Sequence, residues 1–208
     1  MCCEEIKNQI KLLKDNICSS KELYKNNNSE IRTIFFISNI FMENILKDIV
    51  FVLVLISKDN KERYIKAILR LIVEQVIIYR NLMSEKVDNL EMCKDFLGYN
   101  INIEFIESSN ISEYKKLKNI IGNRTKMYEN KFYEMAKRFE NPNEYLSFYK
   151  IYSLLSDYVH NSYYEDMLRS VENENIDKKE IYRYIYAILE NINEGYVGIE
   201  KRYKKSHL

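Results

Sequence analysis

An Asn or Asp followed three residues later by a Glu recurs along this chain, at Asn27/Glu30, Asp59/Glu62, Asp88/Glu91, Asn110/Glu113, Asn141/Glu144 and Asp177/Glu180. In that arrangement the first side chain accepts from a backbone N–H of the opening helical turn, and the Glu reaches back to the capping residue. Each pair is therefore a start signal for a helix. The intervals between the pairs are helix-sized. Pro142, the single proline in 208 residues, stands just inside one of these starts, where its missing N–H costs nothing. Only four glycines accompany it, so the chain is poor in the residues that build hairpin turns, long loops and interdomain linkers. These features predict an all-α fold: one helical bundle of about seven helices spanning residues 1–208 as a single domain. At this size about 70% of the unfolded surface can be buried, so the core needs no disulfides or metals to hold it.

Hydrophobic spacing places the helices. The first runs from about Cys3 to Lys25, with Ile6, Ile10, Leu13, Ile17 and Leu23 on one face. The second runs from about Ser29 to Ser57. It is apolar on nearly every side from Ile45 to Ile56, which predicts a central, buried helix. The third runs from about Asn60 to Lys86. The fourth runs from Asn89 to about Phe105, with Gly98 interrupting it. The alternation over 101–105 has no partner strand elsewhere and is not read as β-structure. A fifth segment, from about Ile111 to Phe139, is basic. A sixth runs from Pro142 to about Asn161, and an acidic loop from Ser162 to Ile176 follows it. The last helix runs from about Lys178 to Arg202 on a stripe of Ile181, Ile185, Ile188, Ile192 and Ile199, with Gly195 and Gly198 admitting a close neighbour.

Much chemistry is excluded by what the sequence lacks. Net charge is +1, so no global attraction to polyanions is expected. The opening MCCEEIKNQ reads as neither a secretory nor a transit segment, and the apolar run from Ile49 to Ile56 falls far short of the roughly 20 residues of a membrane span. Cys2, Cys3, Cys18 and Cys93 include no C-x2-C pair and read as reduced thiols of a cytoplasmic protein with no membrane partner. No phosphate-binding glycine loop, dinucleotide fingerprint or nucleophile elbow occurs. With only His160 and His207 and no Glu-x-x-His pair, neither a metal site nor a cofactor is expected.

What remains is a polar set on two apolar helices. Tyr149, Tyr152, Ser156 and His160 fall on one stripe of the sixth helix, and Arg70 and Glu74 sit at i and i+4 in AILRLIVEQVIIYR. Two helices that each carry unusual polar groups on one stripe satisfy them most cheaply by facing each other. Two readings stand at this point. In one the set is an internal salt bridge that fixes helix register. In the other Arg70, held by Glu74, presents its fork to a phosphate, and His160 serves as general acid or base beside Ser156. Arg70, Glu74, Ser156 and His160 are then the candidate catalytic residues, with Tyr149 and Tyr152 lining the site. Lys115, Lys116 and Lys118 of the basic segment, with tyrosines interleaved, would follow a nucleic acid backbone, or else form a solvated face. The partner class is RNA or a nucleotide, with a homodimer compatible.

Over residues 60–165, Arg70-x3-Glu74 and Tyr152-x3-Ser156-x3-His160 resemble the motifs of an all-helical bacterial family catalogued as a domain of unknown function. That resemblance implies a helical fold with a shared polar pocket. More loosely, the helical layout looks like the HEPN superfamily, many of whose members are metal-independent RNases of toxin and phage-defence systems. Their Arg-x4-6-His hallmark departs here: residues 153–155 are Ser, Leu and Leu. Arg202-x4-His207 has the spacing but lies at a terminus where fraying is expected.

Overall fold

A computed structural model describes residues 3–58, 62–85, 87–97, 135, 137, 148–157 and 178–204. Within them the chain forms α1 (Cys3–Asn26), α2 (Ser29–Ser57), α3 (Glu62–Leu82), α4 (Asn89–Leu97), α5 (148–157) and α6 (Lys178–Lys204), with no strand among the described residues. The fold is all-α. The segments expected over 101–134 and 162–176 lie outside the described residues, as do His160, Lys115, Lys116 and Lys118.

Two of the six start signals lie wholly within the described residues, and one of them caps its helix as read. Asp88 Oδ1 accepts from Glu91 N at 3.0 Å and caps α4. At α2 the cap is Asn28, one residue later than the spacing predicts: its side chain accepts from Ile31 N at 3.0 Å. Asn27 turns the other way, and its amide donates to Leu23 O at 2.7 Å. One asparagine thus closes α1 while the next opens α2, so the connection between the two helices is very short.

α2 packs against α1, α3, α4 and α6 and is the central element. Phe35, Ile45, Ile49 and Val52 of α2, Leu69, Ile72 and Val76 of α3, and Ile185, Ile188 and Ile192 of α6 are completely buried. Each such side chain contributes about 1.5–3 kcal/mol of transfer free energy. The expectation that α2 is buried on nearly every side needs correction. Its inner face is sealed, but Val50, Phe51 and Val54 on the outer face are 45%, 54% and 42% exposed. No other described helix is laid over that side, so a run of apolar residues there does not by itself mean burial.

α3 ends at Leu82 rather than near Lys86. The Asn89 amide donates to Leu82 O at 2.7 Å and to Ser84 O at 2.9 Å. Arg202, reaching across from α6, donates from Nη2 to Met83 O at 3.2 Å and from Nη1 to Ser84 O at 3.1 Å and to Asn89 Oδ1. Carbonyls left over at a helix end need such partners. α6 therefore does not fray at Arg202: it continues to Lys204, with that guanidinium anchored in the α3–α4 turn. A guanidinium so engaged is not poised to act with His207 on a phosphodiester.

No described helix is long and apolar enough to cross a membrane.

Candidate functional site

α5 turns its polar stripe toward α3 because its opposite stripe is apolar. Phe148, Ile151 and Leu155, at i, i+3 and i+7, are buried in the core. That leaves Tyr152 and Ser156, four residues apart, beside Arg70. Arg70 Nε donates to Ser156 Oγ at 3.2 Å, and Arg70 Nη2 pairs with Glu74 Oε1 at 3.0 Å. The Tyr152 ring centroid lies 6.0 Å from Arg70 Cζ, at the outer limit of a cation–π contact. Four of the predicted residues are thus in one cluster. Tyr149, three residues before Tyr152, is not on Arg70: its ring lies 5.5 Å from Lys137 Nζ. His160, Lys115, Lys116 and Lys118 lie outside the described residues, so their relation to Arg70 is left to experiment.

The cluster is half open. Arg70 and Glu74 side chains retain 24% and 22% of their exposure, so the pair borders solvent rather than standing inside a sealed core. Glu74 and Ser156 engage Nη2 and Nε, and no described residue accepts from Nη1. Arginine carries five N–H donors in a fixed fork, so a planar edge for an oxyanion is still available.

Lys66, one turn before Arg70 on the same stripe, escaped the sequence reading. Its side chain is only 8% exposed, and its Nζ pairs with Glu180 Oε2 of α6 at 3.3 Å. Glu180 Oε1 in turn accepts from Tyr184 OH at 2.6 Å. The signal was there to find: 66, 70 and 74 are i, i+4 and i+8 of one helix. α3 thus carries a continuous charged stripe whose first member is tied to α6 and whose next two face α5.

Two other polar groups were also missed, both on α6. Along the α1–α6 seam, Asn16 Nδ2 donates to Asn193 Oδ1 at 2.9 Å, and Asn193 Nδ2 donates to Gln9 Oε1 at 2.8 Å and Gln9 O at 3.1 Å. Two turns on along α6, Glu200 Oε1 accepts from Ser19 Oγ at 2.6 Å, Lys204 Nζ at 3.1 Å and Tyr196 OH at 3.2 Å. Burial pushes the Glu200 carboxyl up, but these donors outweigh it and hold the group below the usual carboxylate range. Between α3 and α2, Tyr79 is fully buried with its hydroxyl 3.0 Å from Ser38 Oγ, and burial pushes its ionisation up. The Cys93 thiol is likewise buried and pushed up, so it is held as an unreactive thiol. Asn16, Asn193, Glu200 and Tyr79 each bond across a helix seam, and these groups belong to the scaffold.

The chain matches no family model, no curated protein and no solved structure. The resemblances drawn from its sequence rest on the motifs themselves.

Proposed function

We propose that this is a cytoplasmic helical domain that acts on RNA or nucleotides. In this reading Arg70 binds a phosphate, Glu74 and Ser156 orient its guanidinium, and Tyr152 flanks the bound group. The observation that carries it is the Arg70 fork, about a quarter exposed, with Nη1 unclaimed by any described residue. A charged group used only to fix helix register is more cheaply sealed or replaced by an apolar one. His160 as general acid or base, and the toxin or phage-defence setting, come from the HEPN-like and unknown-function-family resemblances. Lys115, Lys116 and Lys118 supply backbone contacts in the same proposal.

The test is fluorescence anisotropy with short labelled RNAs and nucleotides at low salt. Arg70→Gln should weaken binding at least tenfold, whereas His160→Asn should abolish turnover with the melting temperature nearly unchanged. Reversing Lys115, Lys116 and Lys118 to Glu should flatten the salt dependence by about one slope unit per lost phosphate contact. Absence of salt-sensitive binding by RNA, DNA and nucleotides alike would sink the proposal.

A second reading, a non-enzymatic interaction module, draws on a different observation. Arg70 is already engaged by Glu74 and Ser156 in the absence of any ligand, as a register-fixing cluster would be. In that case Arg70→Gln changes stability and no binding.

A further inference from the structure

The outer surface of α2 carries the largest apolar side chains left exposed on that helix, and α3 extends it. Gln75 Nε2 donates to Asp48 Oδ2 at 3.1 Å and sets the antiparallel register of α2 and α3. One turn beyond that bond, Phe51 on α2 and Leu71 on α3 come to the same level, 54% and 55% exposed. Val50, Val54 and Ile40 continue the stripe along α2, each more than 40% exposed. Several large apolar groups gathered on one face are a recognition surface rather than scattered exposure.

We propose that this face binds a second copy of the chain, with the two α2 helices antiparallel about a two-fold axis near Val50 and Phe51. The charges on the face choose the occupant. Glu43, Lys47 and Lys58 are the ionisable residues interspersed with the apolar stripe, and Lys47 and Lys58 are exposed. With Val50 and Phe51 at the centre, Glu43 of one copy falls opposite the partner's Lys58, and the symmetry repeats that pair at the other end. Lys47 falls opposite the partner's Val54, where its methylene stem covers apolar surface while its ammonium stays in water. A two-fold interface must be complementary to itself, and this face meets that requirement. Glu43 keeps its bond to Lys21 of α1, at 2.6 Å, on the flank of the stripe. An anionic membrane would engage Lys47 and Lys58 but has no use for Glu43. A partner helix of other origin would have no reason to find the acidic and basic ends spaced alike about one centre.

Sedimentation velocity on the full chain tests this. The wild type should be a dimer at micromolar concentration. Phe51→Glu with Val54→Glu should be monomeric and fully helical, since both side chains already face water, with a melting temperature lowered only by what dimerisation contributes. Glu43→Lys and Lys58→Glu each place like charges at both ends and should weaken self-association by about tenfold at low salt. Mixing those two variants restores both pairs, so the mixture should associate as tightly as the wild type. The proposal is overturned by a monomer at every concentration, by a mixture no tighter than its components, or by a monomer that sediments with phosphatidylglycerol vesicles through Phe51 and Val54.

Discussion

Along α3, the turn around Tyr79 is sealed by α6, whereas the turn around Arg70, earlier in the same helix, is left half open beside α5. Around Tyr79 every device serves closure. Gly195 of α6 brings its backbone so near that a Cβ there would lie 2.7 Å from Tyr79 Cε1. The Tyr79 hydroxyl is spent on Ser38, and the end of the helix is capped by Asn89 and Arg202. Around Arg70 the partners are a serine, a glutamate and the rim of a tyrosine ring, all reached from one side. Both regions hold an arginine. Arg202 spends both terminal nitrogens on Met83 O, Ser84 O and Asn89 Oδ1, and its partnerless Nε is buried; Arg70 keeps Nη1 clear of every described residue at the edge of solvent. Polar groups in a helical bundle are therefore to be sorted by which of their unsatisfied donors border solvent, not by how unusual they look in the sequence.

The sharpest way to break this contrast is at the sealed end. Arg202→Ala should remove the bonds to Met83, Ser84 and Asn89 and cost about 2–3 kcal/mol, in the range of hydrogen bonds made by a charged donor. Arg202→Lys should recover little of it, because one ammonium cannot span carbonyls that a planar fork spans. Urea denaturation gives the comparison directly; a loss for Arg202→Ala no greater than for an exposed surface arginine would mean the cap is ornamental.

Gly195→Ala is expected to be milder. Overpacking costs about 1–3 kcal/mol, and the alanine returns about 1 kcal/mol of helix propensity, for a net loss of about 0–2 kcal/mol. The Tyr79 ring is what the new methyl meets, so the loss should shrink in a Tyr79→Leu background. A double-mutant cycle reads that coupling, and strict additivity would show that the close approach can relax elsewhere. Gly198, by contrast, has only Glu85 Oε1 at 3.9 Å in its way and should accept alanine without loss.

Most of the fold was legible in the sequence because it is written in local patterns. α2 runs between the predicted residues, and the isoleucine stripe of α6 is buried throughout. The errors fall where the deciding partner is remote. The end of α3 is set by Arg202 more than a hundred residues away, and no local signal marks it. The exposed face of α2 depends on which helices the topology lays over it, so an apolar run alone could not separate inner from outer. At the site, Arg70, Glu74, Ser156 and Tyr152 were found because each breaks an apolar pattern. Tyr149 breaks the same pattern but lies one turn before Tyr152, where its ring is 5.5 Å from Lys137 Nζ. Lys66 was passed over because its lone charge looked like a helix surface, although its partner Glu180 starts α6.

Of the two arginines, the smaller stability change is expected at the open end, and it separates their two uses. Were Arg70–Glu74 a sealed pair, removing one partner would cost about 3–5 kcal/mol, because the other charge would be stranded in a low dielectric. Here both side chains keep about a fifth to a quarter of their exposure, so water solvates Glu74 when Arg70 is gone. An i,i+4 pair at the edge of solvent contributes about 0.3–0.5 kcal/mol, and the single 3.2 Å bond from the charged Arg70 Nε to Ser156 adds about 1.5 kcal/mol, the low end for a charged donor. Arg70→Ala should therefore cost about 2 kcal/mol by urea denaturation. The loss should diminish with added salt, because screening already weakens the pair it removes. A loss above 3 kcal/mol would place Arg70 with Arg202 among the groups that hold the bundle shut.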